Sequence, residues 1–575
     1  MMQRTRRLIL TLGVLFFLGL TVLTGRVAWI ALATHDEAAV RMDRQSLRAE
    51  VVEARRGSVF DRHGRVLASS CETLRVEVLP RNLHRRADCP QAQAELVAAV
   101  AGWLAPVVQA PVDDLVRRLS GERWSVLGEP VCDPEHLEAL EGERRKLLYG
   151  LDLQGGWTRK YPWGATAGNL VGYVSHENVG VSGLEQGLDH LLSGHDGARR
   201  YRVDHLGREV VEAGHDWLAP VDGLDVTLTL DVRLQQIVEE EALASLDEFE
   251  ASRVTVVAME PGSGDVLAMC SVPGIDLSDG RDRGKNGSVC AAVQEVYPPG
   301  STFKPLMMAA AIQLGLAHPD EAPVDCTAFE GRRIRDTHPQ DHPLTLEEIL
   351  VHSSNIGMAK LLTRLVPPEH GRDGERMRPV HDILLQLGLG RPTGVPLPAE
   401  APGLMTPLED WTRKYTLASV AFGQELGVSA LQMAAAASVL VDGSYRRPRL
   451  VFACTSADGE RALMPDPEPR RVFRRDIVDT VRGYMRKAVE AGSCEAVKLP
   501  EVAVAGKTGT AQFGEGLRKE IHSYTALVPA EDPYLTLVVV VREPQGVRFS
   551  SQSAAPTAGR ILRRVLPYLG QPIQE

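Results

Sequence analysis

An uncharged, mostly apolar run at residues 8–25, preceded by Arg4, Arg6 and Arg7, constrains this chain more than any other feature. About eighteen such residues, helped by interfacial flanks, are enough to cross the hydrocarbon core of a bilayer as a helix. After Arg26 the sequence continues as VAWIALA, and Asp36 and Glu37 follow. Basic residues ahead of the run and acidic ones behind it place the N-terminus inside and the rest of the chain outside. A cleaved signal peptide is the rival reading, because Ala31-Leu32-Ala33 offers a small-x-small site. The run is long for a signal core, which favours an uncleaved single-pass anchor at residues 1–33 in the inner (plasma) membrane. Under either reading the bulk of the chain is extracytoplasmic.

The remaining length fits two or more domains with at least one large core, since the chain has 575 residues, 44% hydrophobic and 24% charged. That composition excludes disorder and a multi-span membrane protein. A net charge of −11 leaves no basic surplus to neutralise phosphates, so nucleic acid is not an expected partner. Eight cysteines are scattered without a C-x-x-C pair, which is neither a disulfide framework nor a zinc ribbon and leaves room for one or two disulfides.

Residues 34–219 read as short strand and helix pieces broken by Gly and Pro, among them a turn at His63-Gly64 and a helix over residues 92–104. The pattern changes near Val221. DGLDVTLTLD alternates like a strand, and Asp231 is placed to cap the helix VRLQQIVEEEALASL. RVTVVAME and DVLAMCSV follow as two strands joined by PGSG. Far downstream, HSYTALV and YLTLVVVVRE flank PAEDP as an antiparallel hairpin. Strands at both ends with helices between them predict one α/β domain from about residue 220 onward.

Three short segments in that domain carry chemistry. PPGSTFKPL puts Ser301 at a helix start and Lys304 one turn later on the same face. The helix dipole favours negative charge developing at Ser301. A partly buried lysine near other cations has a lowered pKa and can accept the serine proton. VHSSNIG places Ser353 and Asn355 at the start of another helix, and VAVAGKTGTAQ ends a strand-like alternation with Lys507, Thr508, Gly509 and Thr510. A lysine and two hydroxyls on a strand edge make a donor-rich clamp for a carboxylate. Gly509, lacking a side chain, leaves room for a substrate backbone alongside. Each segment alone has a plain structural explanation: a chance Ser-x-x-Lys, a helix cap, a solvated edge lysine. All three in this order are far less common. Gly-Lys-Thr does not form a phosphate-binding loop here, because Glu501 stands where the first glycine is needed and no helix follows. No G-x-S-x-G or H-E-x-x-H occurs.

Ser301-Thr-Phe-Lys304, Ser353-Ser-Asn355 and Lys507-Thr-Gly509 resemble the three motifs of penicillin-binding proteins and serine β-lactamases. The wider chain resembles the class B penicillin-binding proteins, the monofunctional peptidoglycan D,D-transpeptidases. RRGSVFDRHGRVLA and GLEQGLDHLLSG are similar to that family's pedestal, and GSGDVLAMCSVP, YPPGSTFKP, FGQELGVSALQMA and VAGKTGTAQ to its catalytic domain. The resemblance implies an α/β transpeptidase domain at residues 220–575, with an antiparallel sheet flanked by helices and a helical subdomain. An α+β pedestal (dimerisation-type) domain at 34–219 and one transmembrane helix would precede it.

It also implies roles. Ser301 would be acylated by a stem peptide ending in D-alanyl-D-alanine, or by a β-lactam, and Lys304 would take its proton. Ser353 would relay a proton to the leaving amine. Asn355 would hold the substrate amide and orient Lys304. Lys507, Thr508 and Thr510 would bind the terminal carboxylate, and the N–H groups of Ser301 and Thr510 would form the oxyanion hole. No cofactor is implied. The implied partners are a SEDS-type glycosyltransferase and other wall-synthesis or divisome proteins. The modest pedestal and the lack of C-terminal accessory domains lean toward a division role over elongation. Two stretches depart from the family pattern: FSSQSAAP only loosely matches an expected glycine-containing run, and the loop holding Cys326, Asp336, His338, Asp341 and His342 contains zinc-ligand types. That loop is read as polar and turn-rich, with no metal assigned. A β-lactamase of the class A kind is disfavoured by the lack of a Glu-x-x-Leu-Asn between Ser353 and Lys507, and a glycosyltransferase motif is not found in the first half.

Overall fold

The computed structural model describes residues 2–33, 47–84, 89–143, 147–148, 150–202, 216–279, 289–330, 332–493, 495–513 and 519–570. The chain divides into two compact units, Met1–Ala54 with Gly194–Asp222, and Arg55–Ser193 with Gly223–Glu575. In the first, helix α1 (Met2–Ala33) carries the apolar run, and its segment Arg6–Ala31 is long and apolar enough to cross a membrane. Arg26 does not break this helix. Its guanidinium lies 4.6 Å from the Trp29 ring centroid, the arrangement of a cation whose stem follows an apolar surface. The same unit contains a three-stranded antiparallel sheet in which Gly197–Arg202 pairs with both Leu47–Val52 and Asp216–Leu218.

The second unit opens with the His63-Gly64 turn, where Gly64 takes φ +78° between strands Val59–Phe60 and Val66–Val78. Val66–Val78 pairs along ten residues with Leu151–Lys160. The helix expected over residues 92–104 spans Pro90–Val107. Strand Asp225–Leu228, which looked like the first element of the C-terminal half, pairs instead with Val59–Phe60 and with Val451–Thr455, so one sheet joins both stretches of sequence. On the N-terminal side of this sheet lies a buried charge cluster. Arg56 and Glu185 are fully buried and bonded at 2.7 Å, Arg159 bonds the other Glu185 oxygen at 2.7 Å, and Arg56 also reaches Asp189 at 2.6 Å. Fork-shaped guanidinium groups satisfy a buried carboxylate that would otherwise be costly.

The catalytic sheet comprises β1 (Arg253–Met259), β2 (Val266–Val272), β3 (Ala505–Phe513), β4 (Lys519–Val528) and β5 (Leu535–Arg542). Its order is β2-β1-β5-β4-β3, all antiparallel, with β3 at the edge. The two expected hairpins, β1–β2 and β4–β5, are both present. Helices α2 (Val232–Glu248) and α8 (Ala554–Leu569) pack one face of the sheet through Leu234, Val238, Ile561 and Val565. The other face meets the helical subdomain: α3 (Lys304–Gln313), α4 (Leu346–Val351), α5 (Asn355–Thr363), α6 (Ala430–Asp442) and α7 (Arg475–Ala488). Burial on both faces explains why β5 reads as the unbroken apolar run LTLVVVV. Asp231 caps α2 as its sequence suggests, accepting from Arg233 N and Leu234 N. Cys71, Cys89, Cys132, Cys270, Cys290, Cys326 and Cys454 are free thiols, and Cys494 lies outside the described residues.

Candidate active site

The serine enters on a bend made by Pro298, Pro299 and Gly300. Gly300 sits at φ +56° and donates its N–H to the Gly423 carbonyl at 2.9 Å. The next turn, Gly300–Phe303, is a 3-10 helix feeding α3, so Ser301 precedes the α-helix and does not lie within its first turn. In 3-10 geometry side chains three residues apart eclipse, which aligns Ser301 with Lys304. Lys304 is fully buried. Its Nζ donates to the Ser353 carbonyl at 2.5 Å and lies 3.1 Å from Ser353 Oγ. Burial pushes this amine well below the ordinary lysine pKa, the Lys507 ammonium pushes it further, and the Asp336 carboxylate opposes both. Ser301 Oγ has no hydrogen-bond partner among the described residues.

Ser353 occupies the joint between α4 and α5 at φ +57°, a left-handed conformation that few residues with a Cβ adopt. Flanking caps hold it there. Thr345 and Glu348 form a capping box at the start of α4, and Ser354 caps α5 by accepting from Gly357 N. Asp336 completes the clamp: it accepts from Ser354 Oγ at 2.6 Å, Asn355 N at 2.6 Å and Ile356 N at 3.0 Å. A carboxylate at a helix N-terminus is favoured by the exposed N–H groups and the dipole. Asp336 was legible only as a potential ligand in a polar loop; the structure gives it this positioning contact instead. Asn355 departs from expectation. Its amide donates to the Arg335 carbonyl at 2.8 Å and does not reach Lys304, because Asp336 and Arg335 pin that end of the helix from the same strand of loop.

Strand β3 supplies Lys507, Thr508, Gly509 and Thr510 from within its length and not from its end. Lys507 is buried to 4% exposure, and its Nζ donates to the Thr508 carbonyl at 3.3 Å. Gly509 has a packing role as well. A Cβ there would lie 2.7 Å from Ser523 Oγ, 2.9 Å from the Pro299 carbonyl and 3.0 Å from Thr302 Cγ2. Gly509 therefore lets the serine-bearing turn press against the strand. Thr510 is held from behind by Ser550, whose N–H donates to Thr510 Oγ1 at 3.1 Å. Ser550 belongs to the FSSQSAAP stretch where the family pattern fitted only loosely, so no sequence signal marked it.

Ser301, Ser353, Lys507, Thr508 and Thr510 line one open cavity of about 860 Å³, with Arg332, His338, Glu520 and Arg548 at its margins. The rings of His338 and Phe549 meet there at a tilt of 48°, with centroids 6.3 Å apart. Residues of the Cys326–His342 loop take separate partners. Cys326 Sγ bonds the Val324 carbonyl, Asp336 caps α5, and His342 Nδ1 lies 2.8 Å from Asp341. Among the described residues no three His, Cys, Asp or Glu side chains converge as a metal site.

Comparison with known proteins agrees with this arrangement. A family model described as the penicillin-binding protein transpeptidase domain matches residues 254–563, and one for the penicillin-binding protein dimerisation domain matches 51–228. The chain is 29% identical to stage V sporulation protein D of Bacillus subtilis over 90% of its own length and 79% of that protein. It is 28% identical to peptidoglycan D,D-transpeptidase FtsI of Escherichia coli K12, covering 96% of this chain and 90% of that one. Among solved structures, penicillin-binding protein 3 of Mycobacterium tuberculosis in complex with aztreonam superposes with a TM-score of 0.67 at 26% identity, covering 92% of this chain and 98% of that one. A peptidoglycan synthetase from Bifidobacterium adolescentis gives 0.72 at 26% identity over the same shares. With the transpeptidase model spanning more than half its length, the chain belongs to the penicillin-binding protein transpeptidase family.

Proposed function

We propose that this protein is a membrane-anchored peptidoglycan D,D-transpeptidase that cross-links stem peptides and is acylated by β-lactams. The observation that carries the reading is the meeting of Ser301, Ser353 and Lys507 in one cavity, with the fully buried Lys304 bonded to Ser353 and its pKa pushed down by burial and by Lys507. In the first half-reaction Ser301 Oγ bonds to the carbonyl carbon between two D-alanines while Lys304 takes its proton. The C–N bond breaks, and the Ser353 hydroxyl, bonded to Lys304, relays a proton to the departing amine. Lys507, Thr508 and Thr510 bind the terminal carboxylate. N–H groups of Ser301 and Thr510 face the developing oxyanion, a pair worth roughly 3–4 kcal/mol per donor in comparable sites. Asn355 meets the substrate amide once peptide displaces its contact with Arg335. A second stem peptide's amine then releases the product.

The division into anchor 1–33, pedestal 34–219 and transpeptidase domain 220–575 is supported by the two family matches and by α1. An inner-membrane location with the catalytic domain outside follows from the helix and its basic flank. The names of relatives such as FtsI support a septal role, beside a SEDS-type glycosyltransferase and other divisome proteins as the resemblance implies. The test is covalent labelling by a fluorescent penicillin: Ser301→Ala loses the label while keeping the parent's melting temperature. Retained labelling in that variant refutes the assignment.

A further inference from the structure

Pro298 and Glu425 line two cavities at once: the catalytic one and a neighbour of about 440 Å³. The neighbour is walled by Tyr297, Leu404, Met405 and Leu426, and Leu404 stands 64% exposed at its mouth. Tyr297 is buried with a hydroxyl that has no partner among the described residues. An apolar chamber that opens beside a nucleophile has no explanation in the acyl-donor chemistry above, which uses the opposite, cationic wall.

Glu425 marks the passage between the two. It takes φ +62°, a left-handed conformation disfavoured for a residue with a Cβ. Its carboxylate is exposed and finds no ion pair or hydrogen bond among the described residues. Around the catalytic cavity the charge is therefore divided. Lys507, Arg332 and Arg548 offer cations to a carboxylate, and Glu425 offers an anion on the side of the apolar chamber. Glu520, the other carboxylate there, accepts from the Gln512 amide at 3.5 Å and lies 3.5 Å from His522 Nε2.

We infer that the second cavity receives the acyl acceptor, a primary amine at the end of an aliphatic arm, with Glu425 drawing in its ammonium and Leu404, Met405 and Leu426 packing its methylenes. This rests on the reading of Ser301 as the acylated nucleophile. Once seated, the ammonium gives up its extra proton to solvent. The amine nitrogen bonds to the ester carbonyl carbon and the C–Oγ bond to Ser301 breaks. The amine's second proton passes through Lys304 and Ser353 to Ser301 Oγ, giving an amide and free serine. Water competes for the same ester, so the acceptor site acts on the partition between aminolysis and hydrolysis.

The experiment measures that partition with the full-length protein in detergent, a thioester acyl donor and Nα-acetyl-D-lysine as acceptor. Hydroxylamine, uncharged at neutral pH and lacking the arm, serves as comparison nucleophile. In Glu425→Gln the ratio of lysine amide to hydrolysed product falls about tenfold, the scale of one lost charge pairing. Glu425→Gly, which relieves the backbone, falls equally, Glu425→Asp recovers part of the ratio, and the hydroxylamine ratio moves in none of them. Because a ratio is read, partial misfolding does not imitate the effect. An unchanged ratio in both the Gln and Gly variants overturns the inference, as does an equal loss with hydroxylamine. Failure of the nucleophile reading is separate, since it appears as labelling of Ser301→Ala.

Discussion

Replacing Gly509 by alanine inserts one methyl group between β3 and the serine turn. Its three nearest neighbours lie at 2.7–3.0 Å, and ordinary contact begins at 3.4 Å, so the turn and strand must part by about 0.4–0.7 Å. Two of those neighbours, the Pro299 carbonyl and Thr302 Cγ2, flank Ser301 directly, and the carbonyl cannot rotate away. Overpacking of this kind costs about 1–3 kcal/mol. A catalytic group misplaced by about 1 Å loses about a hundredfold in rate, so half that displacement predicts roughly a tenfold loss. The assay is the second-order rate of acylation by a fluorescent penicillin, with thermal melting measured on the same sample. Adding Ser523→Ala removes the shortest contact and restores part of the rate. If Gly509 instead made room for a substrate backbone, small β-lactams would be spared and only long peptide donors would suffer. Acylation of Gly509→Ala within twofold of the parent rate would refute the reasoning.

Three further outcomes follow from the same site and its support. Lys304 has a folded pKa below its unfolded value of about 10.4, so wild-type stability falls as pH drops through that window, by about 1.4 kcal/mol per unit. Lys304→Met removes the slope: its stability relative to wild type, read by melting from pH 10 downward, grows as pH falls, and a constant difference would contradict a proton-poor lysine. Asp336→Asn deletes the carboxylate that holds Lys304's pKa up, so the acid limb of the acylation pH profile moves to lower pH, with a stability loss of about 1.5–3 kcal/mol from the weakened cap. Glu185→Gln leaves Arg159 buried without a counter-charge and Arg56 with Asp189 alone, and costs about 3–5 kcal/mol in denaturant melts; a loss below about 1 kcal/mol would show the cluster to be solvated.

The parts of this structure that the sequence announces are those whose cause is local. Asp231 sits directly ahead of the helix it caps, and the β-branched, apolar runs RVTVVAME and YLTLVVVVRE mark strands without help from distant residues. The three motifs were legible because their residue types are rare in combination. What escaped depends on partners far along the chain. The Pro299 carbonyl against Gly509, Ser550 behind Thr510 and Asp336 beneath Ser354 have no periodic signature. The pairing of Asp225–Leu228 with Val59–Phe60 is of the same kind. The backbone geometry of Ser353 and Glu425 was hidden for another reason: both are left-handed, a conformation that local propensity assigns to glycine.

Register across β1 and β5 has a consequence for biogenesis. Met259 pairs with Thr536 and Arg253 with Arg542, so a loop containing the serine turn, the Ser353 joint and the Lys507 strand must close before the sheet exists. Such non-local closure is slow and comes late. A chain made from its N-terminus thus carries the Ser301 turn long before the Lys507 strand that lines the same cavity. The cavity they share is complete only once β5 has closed the sheet.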